Sequence, residues 1–411
     1  MMRIIFMFLA CVGGLFAVYV FATSAGIVSG VTAFDNLLGS IFPVTISAID
    51  LHKAYTTEKI KLLIVPGHDN EYEGSENHTI RESDLTLALA HSIDAHFKKD
   101  ARFETIVARD ANTGYYMTSL QKYFTEHRDD IIAFKNIAQK KMEVLKAHNF
   151  ISSNVAIERK GALSEIAFRL YGINKWANEN DIDIILHIHF NDHAGRVTRT
   201  GKYTGFSIYV PEHQYGNADA SKDFARVLFD ELKNTVGPST MPLERGGIIE
   251  DQELIALGSN GSLKGVAALI EYGYIYEPQF IYSAVRSPMT QELAFQTYRA
   301  IKKYFEKGSS AYMTGQTSLL PYKWSGVFER GANGSAGVLA LQAALKKEGL
   351  YPPQGKSLVD CPLSGSFGVC TELAVRSFQQ RYADEVLAGA WPNGRVDGAT
   401  TKKLNELFGP R

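Results

Sequence analysis

The hydrophobic residues are spread unevenly, and their spacing divides the chain. Residues 4–33 hold no charged side chain; Arg3 precedes them and Asp35 follows shortly after. A membrane span needs about 20 apolar residues, so this run predicts an N-terminal anchor or a long signal peptide. The anchor is favoured because an ordinary signal core has only about 7–15 apolar residues. Thr23-Ser24-Ala25 and Val31-Thr32-Ala33 are the small-residue cleavage sites the second reading would use. Both readings send the remainder out of the cytoplasm, and Arg3 favours an N-terminus that stays inside. Residues 34–58 show no period and read as a linker.

Beyond it, short apolar runs alternate with longer amphipathic ones. Residues 61–65 (KLLIV), 105–108, 183–190 (DIILHIHF), 206–210 and 266–272 read as strands. Leu85, Leu89, Ile93 and Phe97 recur every fourth position and mark one face of a helix over 84–97. Ile166, Leu170, Ile173 and Trp176 do the same over 163–179, and further helices are expected over 223–232 and 292–305. Strands alternating with helices predict an α/β fold, a mostly parallel sheet with helices on both faces, over 59–306. Residues 111–160 carry a basic helical stretch at 135–146, read as a solvated surface helix or, more sharply, as a lid or a docking site for a protein regulator. A second linker is expected over 307–330. The tail, 331–411, reads as a small all-α domain of short helices and glycine-rich loops. It holds a weak repeat: Gly365 to Thr371 and Gly394 to Thr400 both run into a helix, with Thr371 and Thr400 expected as caps.

Composition narrows the function classes. A length of 411 residues suggests about two to four units. Forty-three Lys+Arg balance 44 Asp+Glu, which removes the basic excess a nucleic-acid binder needs. Hydrophobic residues at 45% and charged residues at 21% are ordinary for a globular chain and argue against extended disorder. Cys11, Cys361 and Cys370 are too few for a disulfide-stapled scaffold or a cysteine-rich zinc module.

The residues that carry chemistry are His68, Glu82, His189 and Glu271. His68 follows a strand and a Pro-Gly turn. Glu82 falls on the buried stripe of its helix, where a carboxylate needs a cation or donors. His189 and Glu271 end very apolar strands, and open parallel sheets build sites at the carboxyl ends of strands. Two His and one Glu suffice to hold zinc with a fourth position open for water, and a further carboxylate would serve as general base. Each has a plainer reading: an exposed His68, a Glu82 placed by the helix dipole, core histidines at His187 and His189, a Glu271 paired with arginine.

Residues 59–305 resemble the catalytic domain of the zinc-dependent N-acetylmuramoyl-L-alanine amidases, which cut cell-wall peptides from glycan. LLIVPGHDN is similar to that family's opening motif, ESDLTLALA to its zinc-glutamate helix, HIHFN to its second histidine motif and LIEYGY to its catalytic strand. Arg109, Arg169 with Ala177-Asn178, and the run 205–209 are supporting matches. The resemblance implies His68, Glu82 and His189 as zinc ligands, His189 rather than His187 among the two strand histidines, and Glu271 as general base. Val65 stands where the family has Asp, so another acceptor must orient the ligands, with Asp69 or a backbone carbonyl expected. Asp69 and Asn70 replace a glycine-rich turn, His187 replaces Ser, and 111–160 exceeds the family core.

Residues 334–410 resemble the small helical peptidoglycan-binding domain of many wall hydrolases, through Leu341-Gln342, Phe367-Gly368, Phe378-Gln379 and Val396-Asp397-Gly398. These are mostly core and turn positions, so they identify fold more than ligand. Cys361 and Cys370 flank the first loop and are expected to form a disulfide outside the cell. The expected whole is an extracytoplasmic, membrane-anchored or secreted zinc amidase acting on peptidoglycan. A different zinc wall peptidase and a non-catalytic wall-binding scaffold are the alternatives.

Overall fold

Strand β1 (Ile60–Pro66) lies next to the sheet centre because its side chains are apolar on both faces. In the computed structural model, which describes residues 47–149, 151–153, 162–193, 196, 201–257, 265–306 and 316–411, it belongs to a six-stranded sheet of order β4-β1-β5-β8-β6-β7. The partners are β4 (Phe103–Val107), β5 (Ile184–Asn191), β6 (Ser207–Pro211), β7 (Ile248–Asp251) and β8 (Val266–Tyr274). All neighbours run parallel except β6 and β8, which are antiparallel. β7, unforeseen in the sequence, has only four residues, too few to show a period. A two-residue hairpin, β2 (Glu76–Asn77) with β3 (Ile80–Arg81), leads into the next helix.

Helices α1 (Ala48–Thr57), α2 (Glu82–Phe97), α3 (Thr118–Glu126), α4 (Arg128–Ala147), α5 (Ser164–Glu179), α6 (Ala218–Leu232), α7 (Pro278–Ile281) and α8 (Ser283–Phe305) surround the sheet. Side chains alternate across a strand. Ile184, Leu186, Ile188 and Phe190 of β5 therefore join one core with Leu89 and Ile93 of α2, Phe224 and Leu228 of α6, and Leu293 and Ile301 of α8. On the other face Leu63, Val65 and Ile185 pack with Leu120 of α3 and Ile173 and Ala177 of α5. The expected α/β layering, with helices on both faces of a mostly parallel sheet, is present.

Two expectations change. Residues 48–57, read as linker, are helix α1. Ser47 and Asp50 form a capping box, and Leu51 and Tyr55 are buried. Ala48 and Ala54 pack against the same core, but ten residues with two large apolar side chains are too few for a period to show. Helix α8 begins nine residues before the expected residue 292 and carries Pro288, a residue that disfavours helix interiors, within its early turns. The expected membrane segment 1–33, with Cys11, lies outside the described residues. Among the described residues no helix is long and apolar enough to cross a membrane.

The tail comprises α9 (Ala336–Lys347), α10 (Val369–Arg381), α11 (Ala383–Val386) and α12 (Gly398–Phe408). It shares one core with the sheet domain: Val285 of α8, Trp324, Leu341 and Phe367 belong to the same buried cluster. Residues 316–330, expected as linker, contain no helix or strand yet are pinned at several points. Buried Glu292 accepts from Thr317 Oγ1 at 2.9 Å and from Ser318 N at 2.6 Å, and Trp324 Nε1 donates to Gly337 O at 2.9 Å. Cys361 and Cys370 are joined by a disulfide. Thr371 and Thr400 do not cap their helices. Each instead takes a hydrogen bond from a buried glutamine, Gln342 or Gln379, at 3.0 and 3.1 Å. The same glutamines accept from the Gly365 and Gly394 backbone at 3.1 and 2.9 Å. The repeat is therefore a loop clasped by the preceding helix.

Candidate metal centre and cleft

Three chain segments deliver the candidate ligands to one end of the sheet. Gly67 N donates to Ile188 O at 2.8 Å, so the turn after β1 stays beside β5 and sets His68 against His189. Thr86 Oγ1 of α2 donates to Gly67 O at 2.7 Å, which places the start of that helix, and Glu82 with it, over the same turn. His68 adopts a left-handed backbone, φ 62°, a conformation a non-glycine residue holds only where its surroundings fix it. Glu82 is 3% exposed and His189 sits on β5.

Glu82 is the hub. Its Oε2 lies 3.2 Å from His68 Nε2, its Oε1 accepts from His189 Nδ1 at 3.0 Å, and backbone N–H groups of Ser75 and Phe190 donate to it at 3.0 and 3.2 Å. Burial would raise its pKa, but the two imidazoles more than offset this and hold the carboxyl well below the ordinary range. Burial also opposes charge on His68, and the Glu82 carboxylate overcomes it, leaving the imidazole above its usual value. Donor atoms of His68, Glu82 and His189 all lie within 4.8 Å of one another. Two glycines keep the space open. A Cβ on Gly67 would come within 2.3 Å of the His189 ring, and one on Gly74 within 2.5 Å of His68 and 2.7 Å of Glu82.

Glu271 is beside this trio: it pairs in register with His189 across β5 and β8, and both line an open cleft of about 670 Å3. His187 lies deeper, between Val65 and Leu269 in the sheet, and stays outside the trio. Burial first, and the nearby His189 second, push its pKa down to about 3; the Ala256 backbone is its hydrogen-bond partner.

The acceptor missing at Val65 is found on the loop after His68. The Tyr72 carbonyl takes a hydrogen bond from the His68 ring. Asp69 builds the loop that presents it: Oδ1 accepts from the N–H groups of Glu71 and Tyr72, both at 2.9 Å, and Asp69 N donates to Tyr72 O at 3.1 Å. Arg169 Nη1 donates to Asp69 Oδ2 at 2.5 Å. Arg109, buried, ties the same region together by donating to Gly114 O, Ser83 O and Asn70 Oδ1. Sequence reasoning missed Glu244. It is fully buried and accepts from Asn191 Nδ2 at 2.8 Å and Tyr209 OH at 2.6 Å, steadying the end of β5. A lone Glu in an irregular turn carries no pattern that marks it.

The donor chemistry fits a divalent metal. Two imidazoles and one carboxylate, the donor types such a cation takes in their deprotonated forms, converge within 4.8 Å.

A second group, Glu212, His213 and Glu250, also converges, but Lys222 already pairs with Glu250.

Known structures share parts of this chain at low identity. An N-acetylmuramoyl-L-alanine amidase from Clostridium difficile 630 is 18% identical, with 62% of this chain and 100% of that one covered, at a TM-score of 0.38. The CwlD amidase from Clostridioides difficile, in complex with the GerS lipoprotein, is 14% identical over 60% and 98%, at 0.41. Ami1 from Mycobacterium smegmatis is 15% identical over 60% and 97%, at 0.38. No curated protein matches the chain. The N-acetylmuramoyl-L-alanine amidase family model matches residues 62–303, which take in the central sheet from the third residue of β1 onward and all four candidate residues. By that match the chain belongs to the N-acetylmuramoyl-L-alanine amidase family and is an enzyme that hydrolyses the amide joining N-acetylmuramic acid to L-alanine in peptidoglycan.

Proposed function

We propose that this hydrolysis depends on zinc held by His68, Glu82 and His189, with Glu271 as the proton carrier. The observation that carries the reading is the convergence of two imidazoles and one buried carboxylate within 4.8 Å, beside a fourth ionisable residue in an open cleft. Zinc on such a set keeps a position for water, lowers that water's pKa towards neutrality and polarises a carbonyl. Glu82 stays ionised at all physiological pH, as a ligand must. The Tyr72 carbonyl orients His68. Glu271 accepts the proton of the attacking water and returns it to the nitrogen of L-alanine as the amide breaks. Its register with His189 supports the role, because paired residues of neighbouring strands share one face of the sheet.

We further infer that the enzyme works outside the cytoplasm. The location of its substrate, the uncharged run at 4–33 and the Cys361–Cys370 bridge support that placement. The run is read as a tether to the membrane. The tail is read as a wall-binding module that raises the local concentration of substrate. A protein regulator is proposed to dock on the 111–160 insert, where Ile137 and Val144 stand exposed on α4.

The test is elemental analysis of purified variants. The wild type is expected to carry about one zinc per chain and His189→Ala none, while His187→Ala retains it. Full zinc occupancy in His189→Ala would overturn the ligand set.

A further inference from the structure

The insert after β4 does more than lengthen the chain. Its helix α3 and the start of α4 face α5 across a second cavity of about 330 Å3. Asp69, Tyr116 and Arg169 line both this cavity and the cleft of the metal centre, so the two spaces adjoin. Aromatic walls come from Tyr115, Phe124 and Phe168, and Tyr115 is 55% exposed.

The charged groups at its rim are of both signs. Arg169 is saturated: Asp69 and Glu71 each lie 2.5 Å from its guanidinium, and Glu165 lies 3.6 Å away. Arg128 stands differently. Its guanidinium rests 4.6 Å over the Phe168 ring, its one charged contact among the described residues is Glu165 at 3.9 Å, and its side chain is 58% exposed. The Glu71 side chain is 59% exposed. The cavity thus has at its solvent edge a cation, Arg128, and a half-exposed carboxylate, Glu71, whose partner is Arg169, and aromatic rings line it.

Which half of the substrate this suits follows from where the substrate carries charge. The carboxyl of N-acetylmuramic acid is consumed in the amide being cut, so the glycan side of the bond is uncharged. Every carboxylate and ammonium lies on the peptide side. A glycan gains little from a bipolar rim, whereas a peptide gains charge-assisted hydrogen bonds.

We propose that the insert forms a subsite for the stem peptide beyond L-alanine. Arg128 receives a peptide carboxylate, Glu71 receives the ammonium of a diamino acid, and the aromatic walls cover the aliphatic chain between. This rests on the amidase reading, which fixes where the scissile bond lies.

The experiment compares kcat/KM of the zinc-loaded full chain on three substrates: N-acetylmuramoyl-L-alanine, its homologue extended by D-glutamate, and that homologue extended by a diamino acid. The wild type is expected to prefer the longest over the shortest by about tenfold or more, the worth of one good charged contact. Arg128→Ala and Glu71→Gln should each shrink that ratio severalfold, chiefly through KM, and Arg128→Lys should restore most of it. Equal rates on all three substrates in the wild type, or a loss in the variants that is the same for all three, overturns the subsite. A wild type that releases stem peptide from none of them overturns the amidase chemistry itself, a separate and recognisable failure.

Discussion

Arg169 grips Asp69 from 100 residues away in sequence, donating from Nη1 to Oδ2 at 2.5 Å. Through Asp69 it holds the loop whose Tyr72 carbonyl meets the His68 ring. The chain thus replaces a carboxylate on β1, where Val65 stands, with a clamp assembled from a loop and a helix. Loss of such an orienting partner typically weakens metal binding by about 10–100-fold. Arg169→Met is expected to show a loss of that size in competition titration against a chromophoric chelator. An unchanged zinc affinity would remove the clamp from the account.

Glu271→Gln keeps the shape of the side chain and removes its capacity to take a proton. Turnover should fall by about 10²–10⁴-fold, while zinc content and melting temperature stay those of the wild type. A Glu271→Gln enzyme with wild-type kcat would exclude Glu271 as the base.

Glu277 is one source of the pH dependence of stability. It is 2% exposed, and burial raises its pKa above the ordinary value, outweighing the N–H groups of Tyr274 and Gly205 and the amide of Gln279 that favour the anion. A carboxyl raised in the folded state contributes stability that is complete below its unfolded pKa and lost as pH rises through the folded value. Stability should therefore fall from about pH 4.5 upward. Glu277→Gln should flatten that fall and stabilise the protein at pH 8. Its oxygen still accepts both backbone N–H groups, and rotation of the Gln279 amide, whose Oε1 is buried and unpartnered, supplies an acceptor for the new NH2. Melting curves from pH 4.5 to 8 with unchanged slope in the variant would contradict this.

The tail and the sheet domain should melt together. Gly365 packs so closely on Val285 that a Cβ there would lie 2.5 Å from it, and Gly237 meets Val359 at 2.8 Å in the same sense. The disulfide closes a loop of nine residues' separation, worth about 2.7 kcal/mol by chain entropy. Calorimetry should show one transition that moves to lower temperature as a whole on reduction. Two transitions, with only the lower one sensitive to reductant, would show the tail to be independent.

The strands of the parallel core were legible because both faces are buried and their sequences are unbroken apolar runs, as in 183–190. The convergence of His68, Glu82 and His189 was legible because two follow or end such strands and Glu82 opens the neighbouring helix. What escaped has a common cause. Helix α1 has only two large buried apolar side chains, Leu51 and Tyr55, β7 is four residues long, and the segment 316–330 is fixed by hydrogen bonds to Glu292 rather than by a period. Thr371 and Thr400 have the composition of helix caps, but the glutamines that occupy them come from another helix. Glu244 and the Arg169–Asp69 pair depend on contacts between distant segments, which no local pattern encodes.

The central claim is tested most directly by mass spectrometry of the products released from purified peptidoglycan by the full chain, with and without a zinc chelator. The account predicts stem peptides that begin with a free L-alanine amine and intact N-acetylmuramic acid on the glycan, abolished by the chelator and restored by added zinc. Products cut inside the stem peptide, or amide hydrolysis that continues undiminished in the chelator, would contradict it.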